Sequence, residues 1–149
     1  MDKIVIFFSS AFGLGYMKYA SGTFGSLAGI LFWKLFVPDI YKVQIFVLAG
    51  IFIISVLFSS LAEVVYNKKD DRRIVIDEVA GVWVSVAFLP KTFMFLFLGF
   101  LLFRMFDIGK PLFIGEVQKI KGGLGITIDD VIAGIFTNVI LQILKFVIY

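Results

Sequence analysis

A long uncharged run near the middle of the chain limits what this sequence can fold into. The run Val43 to Ala62, about 20 residues long, carries no charged side chain, and a helix of that length spans the ~30 Å hydrocarbon core of a bilayer. The composition agrees, because 60% of the residues are hydrophobic, 19 are Phe and the mean hydropathy is +1.03. The sequence therefore predicts an integral membrane protein with a single domain over residues 1–149.

Two more apolar stretches also predict membrane helices. The stretch Phe24 to Val37 contains one charge, Lys34, which lies where its amine can reach the interface, and Pro38 ends the helix. The stretch Val131 to Tyr149 follows an acidic pair that suits a helix N-terminus. The short apolar segment Ile4 to Phe12 could be a signal-peptide core, a buried segment or an interfacial helix, and an interfacial or re-entrant helix is preferred.

The stretch Ile74 to Phe106 could form one long helix kinked at Pro90, or two helices joined at Leu89 to Thr92. Charge distribution favours two, because ten of the 14 Lys and Arg residues then lie on one side of the membrane. Those ten are Lys3, Lys18, Lys68, Lys69, Arg72, Arg73, Arg104, Lys110, Lys119 and Lys121. The prediction is an all-α, polytopic helical bundle with about five membrane helices, some of them short, and with the basic side facing the cytoplasm.

Composition also excludes several kinds of chemistry. The chain has no Cys and no His, which removes disulfides, Cys/His zinc sites, thiol nucleophiles and the imidazole base. The net charge of +3 is small for a nucleic-acid-binding protein, and the basic residues lie beside membrane segments, so nucleic acid is discounted as a partner. Acid–base or metal chemistry therefore falls to carboxylates.

Five acidic residues lie at the edges of very apolar segments. A carboxylate next to hydrocarbon is costly unless it is paired, hydrated or bound to a cation, which makes each of them a candidate functional residue. In the two-helix topology all five fall at helix ends on the cytoplasmic side, together with two cations and a Gly-containing turn. Oxygen ligands of this kind suit Mg²⁺, and the cations suit phosphate. The acids are Asp77, Glu78, Asp107, Asp129 and Asp130, the cations are Arg104 and Lys110, and the turn is Gly22 to Ser26.

Simpler interpretations remain open for each feature. The pairs Asp77–Glu78 and Asp129–Asp130 could be hydrated helix N-termini, and Asp107 could form only a local ion pair. The turn at Gly22 to Ser26 could cap a helix, or its Gly25 and Gly29 could allow close helix packing within or between protomers. The run Gly122 to Gly125 is expected to be a flexible loop able to present backbone N–H groups to phosphate. A solvated surface is expected for Glu63, Asp70, Asp71 and Glu116.

Four motifs in order carry a resemblance to a known family. They are Gly-Thr-Phe-Gly-Ser-Leu at 22–27, Ile-Val-Ile-Asp-Glu-Val-Ala-Gly at 74–81, Phe-Arg-Met-Phe-Asp-Ile-Gly-Lys-Pro at 103–111, and Gly-Gly-Leu-Gly-Ile-Thr-Ile-Asp-Asp-Val-Ile-Ala-Gly at 122–134. With this order and spacing, the chain resembles the phosphatidylglycerophosphatase A family from about residue 20 to about residue 140.

The resemblance implies a multi-pass enzyme of the bacterial cytoplasmic (inner) membrane that uses Mg²⁺ and faces the cytoplasm. Its substrate would be phosphatidylglycerophosphate in the bilayer, converted to phosphatidylglycerol and phosphate. Carried over residue by residue, the catalytic acids would be Asp77, Glu78, Asp107, Asp129 and Asp130, with all but Asp129 as metal ligands. The phosphate would be held by Thr23, Ser26, Arg104 and Lys110.

Some alternatives stay open at the level of sequence. A metal-activated water could attack phosphorus, which is favoured, or an aspartate could form an acyl-phosphate. Outside enzymes, the acids could bind the permeating ions of a small channel or transporter, or the chain could be an assembly subunit. The number of metal ions, the acyl-chain preference and the oligomeric state are not determined by the sequence.

Overall fold

The computed structural model describes residues 2–110, 120 and 122–149. Within these residues the fold is all-helical, with six α-helices and one short 3-10 turn at Leu14–Tyr16. The helices are α1 (Asp2–Ser9), α2 (Ser21–Phe36), α3 (Tyr41–Tyr66), α4 (Ile76–Val86), α5 (Phe93–Gly109) and α6 (Gly123–Ile148).

The ambiguous middle stretch forms two helices. Helix α4 ends at Val86, α5 begins at Phe93, and the Thr92 side chain caps α5 by accepting a hydrogen bond from the Phe95 amide. The predicted core of α3 extends by a turn at its C-terminal end, where Asn67 closes it in the left-handed conformation that asparagine tolerates. The N-terminal apolar segment is helical only to Ser9.

The glycine run before α6 differs from the prediction. A flexible loop was expected over Gly122 to Gly125, but α6 begins at Gly123, so that prediction is wrong from Gly123 onward. A Cβ on Gly123 would lie 2.4 Å from the Ser60 amide nitrogen, and one on Gly125 would lie 2.3 Å from the Ile120 carbonyl oxygen. These glycines therefore serve close backbone packing at the start of a helix.

Helix α4 lies at the centre of the bundle. Most of its side chains are buried, since it contacts α2, α3, α5 and α6 and is apolar or small on almost every side. Its Val82 and Trp83 pack with Trp33 of α2, Phe103 of α5 and Ala133 of α6 in the main apolar core. The central helix thus carries Asp77 and Glu78 into the interior at its first turn.

Among the described residues, two helices, α3 and α6, are long and apolar enough to cross a membrane, with 26 residues each. Their outward faces expose large apolar side chains such as Phe46, Ile53 and Phe146, as lipid-facing helices do. The sequence predicts about five membrane helices and an interfacial or re-entrant α1. Both stay predictions.

The chain between α4 and α5 is non-helical and largely buried, yet its polar backbone groups have partners. Asn138 of α6 donates hydrogen bonds to the Ser85 and Ala87 carbonyls at 3.2 and 2.9 Å. Lys145 donates to the Phe88 carbonyl, and the Phe88 amide donates to the Gln44 side chain. Irregular backbone inside an apolar bundle is tolerated when protein groups satisfy it in this way.

Alternating helix directions bring several helix ends to one end of the bundle. The start of α2 lies against the start of α4, since a Cβ on Gly22 would lie 2.2 Å from Glu78 Oε1. The last turns of α3 contact the start of α6, where Ser60 accepts a hydrogen bond from the Gly123 amide. The C-terminal turns of α5 join them through Arg104. The acidic motifs therefore meet at this end, here called the acidic end.

Candidate phosphate and metal site

Three carboxylates from two helices converge at the acidic end. Asp77 and Glu78 lie in the first turn of α4, and Asp130 lies about two turns into α6. One oxygen of each lies within 4.8 Å of the others. Asp77 and Asp130 are only 5% and 4% exposed. The acidic pair of α6 is thus inside the helix, and the expected N-terminal position for Asp129–Asp130 is wrong.

Glycine contacts explain why the two helices approach so closely. A Cβ on Gly81 of α4 would lie 2.6 Å from the Asp130 carbonyl oxygen, and one on Gly134 of α6 would lie 2.3 Å from the Gly81 carbonyl oxygen. Only glycine at these positions allows backbone to touch backbone. Because Gly81 is one turn after Asp77 and Glu78, and Gly134 one turn after Asp130, the contact sets the distance between the acids.

Two cations accompany the remaining acids. Arg104 Nη1 donates to Asp107 Oδ2 one turn along α5, and Lys110 Nζ donates to Asp129 Oδ2 across to α6. The pKa of Lys110 is raised, since burial lowers it but the hydrogen bond to Asp129 and the surrounding carboxylates outweigh that effect. Asp107 is therefore paired with a cation and lies outside the close group of three.

Several polar atoms of this site are buried without a hydrogen-bond partner among the described residues. They are Asp77 Oδ1, Glu78 Oε2, Asp129 Oδ1, Asp130 Oδ2 and Arg104 Nε. Buried polar atoms are normally satisfied, and each unsatisfied one costs about 1–3 kcal/mol. Four acceptors and one donor without partners at the acidic end mark a candidate binding site for a cation and an anion.

A polar cavity of about 260 Å³ opens at this site. Its wall includes all five predicted acids and Lys110, and it also includes Asp70, Ile108 and Ile126. The structure thus brings together the acidic residues of three separate motifs around one space large enough for a phosphate group and a cation.

The two predicted hydroxyl ligands are placed differently from the acids. Ser26 is fully buried and donates to the Gly22 carbonyl at 2.8 Å within α2. Thr23 is half-buried in the first turn of α2, and neither residue lines the cavity. Gly22 of α2 lies beside Glu78 and Arg104. Gly25 faces Val75, the residue before α4, and Gly29 faces Val82 of α4, so this spacing serves packing within the monomer.

Of the acids expected on a solvated surface, Asp70 is exposed as predicted, and it also lines the cavity. The prediction is wrong for Asp71, which is 5% exposed and accepts hydrogen bonds from the Arg73 guanidinium at 2.7 and 3.1 Å. That pairing lowers the pKa of Asp71 to about 2. Both lie in the α3–α4 connection at the acidic end. That position in the sequence could have indicated that Asp70 lies near the candidate site. Glu116 lies outside the described residues.

The arrangement can perform one kind of chemistry best. Clustered hard oxygens can hold a divalent cation, and adjacent guanidinium and ammonium groups can hold phosphate oxygens. Fold and site together define a helical, apolar-surfaced protein with a buried acidic centre suited to phosphoryl transfer.

Comparison with known proteins agrees with that class. The model of the family described as Phosphatidylglycerophosphatase A matches residues 7–145. The chain belongs to the phosphatidylglycerophosphatase A family and is an enzyme, a phosphoric monoester hydrolase.

Individual relatives point the same way. The phosphatidylglycerophosphatase A of Escherichia coli is 37% identical, with 87% of this chain and 77% of the relative covered. That of Haemophilus influenzae is 32% identical, with 91% and 85% covered. A putative phosphatidylinositol-3-phosphatase of Bacteroides thetaiotaomicron is 31% identical, with 96% and 94% covered. No solved structure matches the chain.

Proposed function

We propose that this protein hydrolyses the terminal phosphate monoester of phosphatidylglycerophosphate, with Mg²⁺, to give phosphatidylglycerol and phosphate. The observation that carries the proposal is the grouping of Asp77, Glu78 and Asp130, one carboxylate oxygen of each lying within 4.8 Å of the others. Each of the three also has a buried oxygen without a partner among the described residues, and all three line a cavity together with Lys110. Family membership and the names of two relatives support the substrate.

The donor set fits a magnesium ion. Mg²⁺ prefers oxygen ligands and usually combines one or two carboxylates with water and substrate phosphate oxygens. Asp77, Glu78 and Asp130 would hold it, and Asp107, which lies outside this group, would have to move toward them to contribute its Oδ1. When bound, the ion supplies Lewis-acid polarisation of the phosphoryl group and a lowered pKa for water.

The two cations would bind the phosphate. In the structure, Arg104 and Lys110 neutralise Asp107 and Asp129, so each can exchange a carboxylate oxygen for a phosphoryl oxygen at small cost in charge. The unpaired Nε of Arg104 gives that guanidinium a further donor, and a planar guanidinium can bind two oxygens at once.

Hydrolysis requires a group that takes a proton from water. Asp129 has one oxygen bonded to Lys110 and the other without a partner among the described residues, so it can accept that proton. We favour attack by water over an aspartyl-phosphate intermediate, because attack by water needs one displacement at phosphorus and the covalent route needs two steps.

We place the acidic end at the cytoplasmic face of the bacterial inner membrane. The basic residues predicted for that side support this orientation. The acyl chains would stay in the bilayer while the headgroup reaches the cavity.

A second substrate has an observation in its favour. The relative named as a putative phosphatidylinositol-3-phosphatase is aligned over 96% of this chain. Phosphatidylinositol 3-phosphate also presents a phosphate monoester on a lipid headgroup, so the same cavity could act on it. The transporter alternative is disfavoured, since the acids lie at one end of the bundle beside cations.

The decisive experiment measures phosphate release by purified protein in detergent micelles. Release from phosphatidylglycerophosphate should require Mg²⁺ and stop on chelation. We expect Asp130→Asn to lower the rate at least ~100-fold, as loss of metal-supporting groups does. The matched control Asp39→Asn changes an exposed carboxylate near Lys91, far along the chain from the acidic motifs, and should stay close to wild type.

Two results would count against the proposal. Full activity in Asp130→Asn, or in the presence of chelator, would reject the metal site. Faster release from phosphatidylinositol 3-phosphate than from phosphatidylglycerophosphate would assign the chain to the second substrate.

A further inference from the structure

An apolar groove runs between the outer faces of α2 and α5. It has a volume of about 200 Å³ and is lined by Leu27, Leu31 and Lys34 from α2 and by Phe93, Phe97 and Phe100 from α5. The walls remain largely open, since Leu31 is 58% exposed and Phe97 is 48% exposed. Helix α2 packs mainly against α4 and only marginally against α5, which leaves this space between them.

The spacing of residues along α5 places the groove next to the acidic end. On α5, Phe93, Phe97, Phe100 and Arg104 recur every three or four residues, so Arg104 continues the same face one turn beyond the groove. Asp107, which lines the acidic cavity, follows on that face. The groove and the candidate site are therefore successive parts of one surface of α5.

The opposite wall of the groove, on α2, also continues toward the acidic end. On α2, Thr23, Leu27, Leu31 and Lys34 recur at three or four residues, which places Thr23 at the inner end of the groove. Gly22 brings the α2 backbone against Arg104, since a Cβ there would lie 3.1 Å from Arg104 Nη1. Polar groups that can contact a phosphate thus lie at one end of an apolar channel.

We infer that the groove between α2 and α5 holds an acyl chain of the lipid substrate, with the headgroup entering the acidic cavity past Arg104. This inference rests on the proposed function, because it requires a lipid phosphate monoester as substrate. From Leu27 to Lys34 the groove extends for about 10 Å along α2, at ~1.5 Å per residue, which accommodates part of a long chain. Thr23 then lies near the substrate's glycerol–phosphate junction, which explains its position outside the cavity.

Charge distribution selects a lipid as the occupant. The groove is lined by apolar side chains except for Lys34 at its outer end. By helical register Arg104 lies one turn beyond its inner end, and Lys110 lines the acidic cavity further along. A single acyl chain joined to a phosphate headgroup matches an apolar channel that ends in cations.

The test compares lipids that differ only in chain length. Wild-type protein is assayed with dioleoyl-phosphatidylglycerophosphate and with dibutanoyl-phosphatidylglycerophosphate, whose chains are too short to reach Leu31. Leu31→Trp and Phe97→Trp place bulk in the groove from opposite walls. Both should raise KM for the dioleoyl substrate about tenfold, as displacement of about two methylenes would, and leave kcat/KM for the dibutanoyl substrate within about twofold.

The control is Ile54→Trp. Ile54 is 41% exposed and lines a different apolar cavity, formed with Phe8, Phe12 and Trp83. It should leave the ratio of the two substrates unchanged. Retained helical circular dichroism and melting temperature identify the variants that fold.

The outcomes separate the two claims. If wild type hydrolyses neither lipid, the proposed function fails and the groove inference fails with it. If wild type is active but Leu31→Trp and Phe97→Trp affect both substrates equally, or affect neither, only the groove inference is rejected. A chain-length effect confined to Ile54→Trp would place the acyl chain in the other cavity and would equally reject it.

Discussion

At the scale of single residues, Gly22 has an unexpected importance. It was predicted as part of a phosphate-binding turn, but the structure places its Cα beside the Glu78 carboxylate and the Arg104 guanidinium. An added Cβ would lie 2.2 Å from Glu78 Oε1, well inside van der Waals contact. The absence of a side chain at Gly22 therefore makes room for a group of the candidate metal site.

We expect Gly22→Ala to lower kcat/KM by about 10–100-fold, because a displacement near 1 Å at a reacting centre can cost that much. Stability should change little, since the Glu78 side chain can move and Ala favours a helix over Gly by up to ~1 kcal/mol. Phosphate release and the melting temperature in detergent check the two parts.

The control is Gly50→Ala in the middle of α3, where no described atom lies within 4 Å of the added Cβ. It should leave activity unchanged. Equal activity of the Gly22 and Gly50 variants would contradict the placement of Glu78 in the site.

The sequence identified the acids at this scale because a carboxylate in apolar surroundings needs a reason to be there. The structure groups three of these acids, Asp77, Glu78 and Asp130, with one oxygen of each within 4.8 Å of the others, and their role as site residues stays a prediction. The argument fails for Asp71, whose burial depends on an ion pair with Arg73 that only the folded loop creates. The sequence near Asp71 does not predict this contact.

At the scale of elements, the crossing of α4 and α6 depends on two glycines. A Cβ on Gly81 would lie 2.6 Å from the Asp130 carbonyl oxygen and 2.6 Å from the Phe103 ring. Backbone cannot yield as a flexible side chain can, so the helices would have to separate.

Gly81→Ala should therefore destabilise the fold by roughly 1–3 kcal/mol, the usual cost of overpacking a well-packed interior. It should also weaken Mg²⁺ binding, because Asp130 would move away from Asp77. Thermal unfolding in detergent and isothermal titration with Mg²⁺ measure these effects.

Here Gly50→Ala again serves as the reference, and its unfolding free energy should be equal to or higher than that of wild type. Unchanged stability and unchanged Mg²⁺ affinity in Gly81→Ala would refute a tight crossing.

The apolar runs in the sequence predicted the helix positions, and Pro90 and the distribution of charge predicted the break at Leu89–Thr92. The sequence did not predict where α6 begins, because Gly122 to Gly125 has the composition of a loop. Packing against Ser60 and Ile120 overrides that local preference. Tertiary contacts of this sort are outside what propensity can indicate.

At the scale of the whole molecule, the alternation of helix directions gathers the acidic motifs. The topology with two helices between residues 74 and 106 predicted this gathering, and a single long helix would have put Asp107 at the other end. The prediction that the acidic motifs lie together therefore depended on predicting two helices in this stretch. The orientation relative to the membrane rests only on charge distribution.

Single cysteines can test that orientation, since the natural chain contains none. We expect Arg72→Cys, exposed near the acidic end, to resist a membrane-impermeant maleimide added outside spheroplasts. Asp39→Cys, exposed in the α2–α3 connection, should react. Both should react after lysis. Labelling of Arg72→Cys in intact spheroplasts would invert the proposed topology.

The touching backbones of α4 and α6 have a consequence for how such a chain can vary. Since main-chain atoms of Gly81, Asp130 and Gly134 set the helix spacing, the distance between the acids of α4 and α6 depends less on which apolar side chains fill the remaining interior. Replacement of outward-facing Phe, Leu and Ile residues can therefore change the outer surface while the candidate site keeps its geometry.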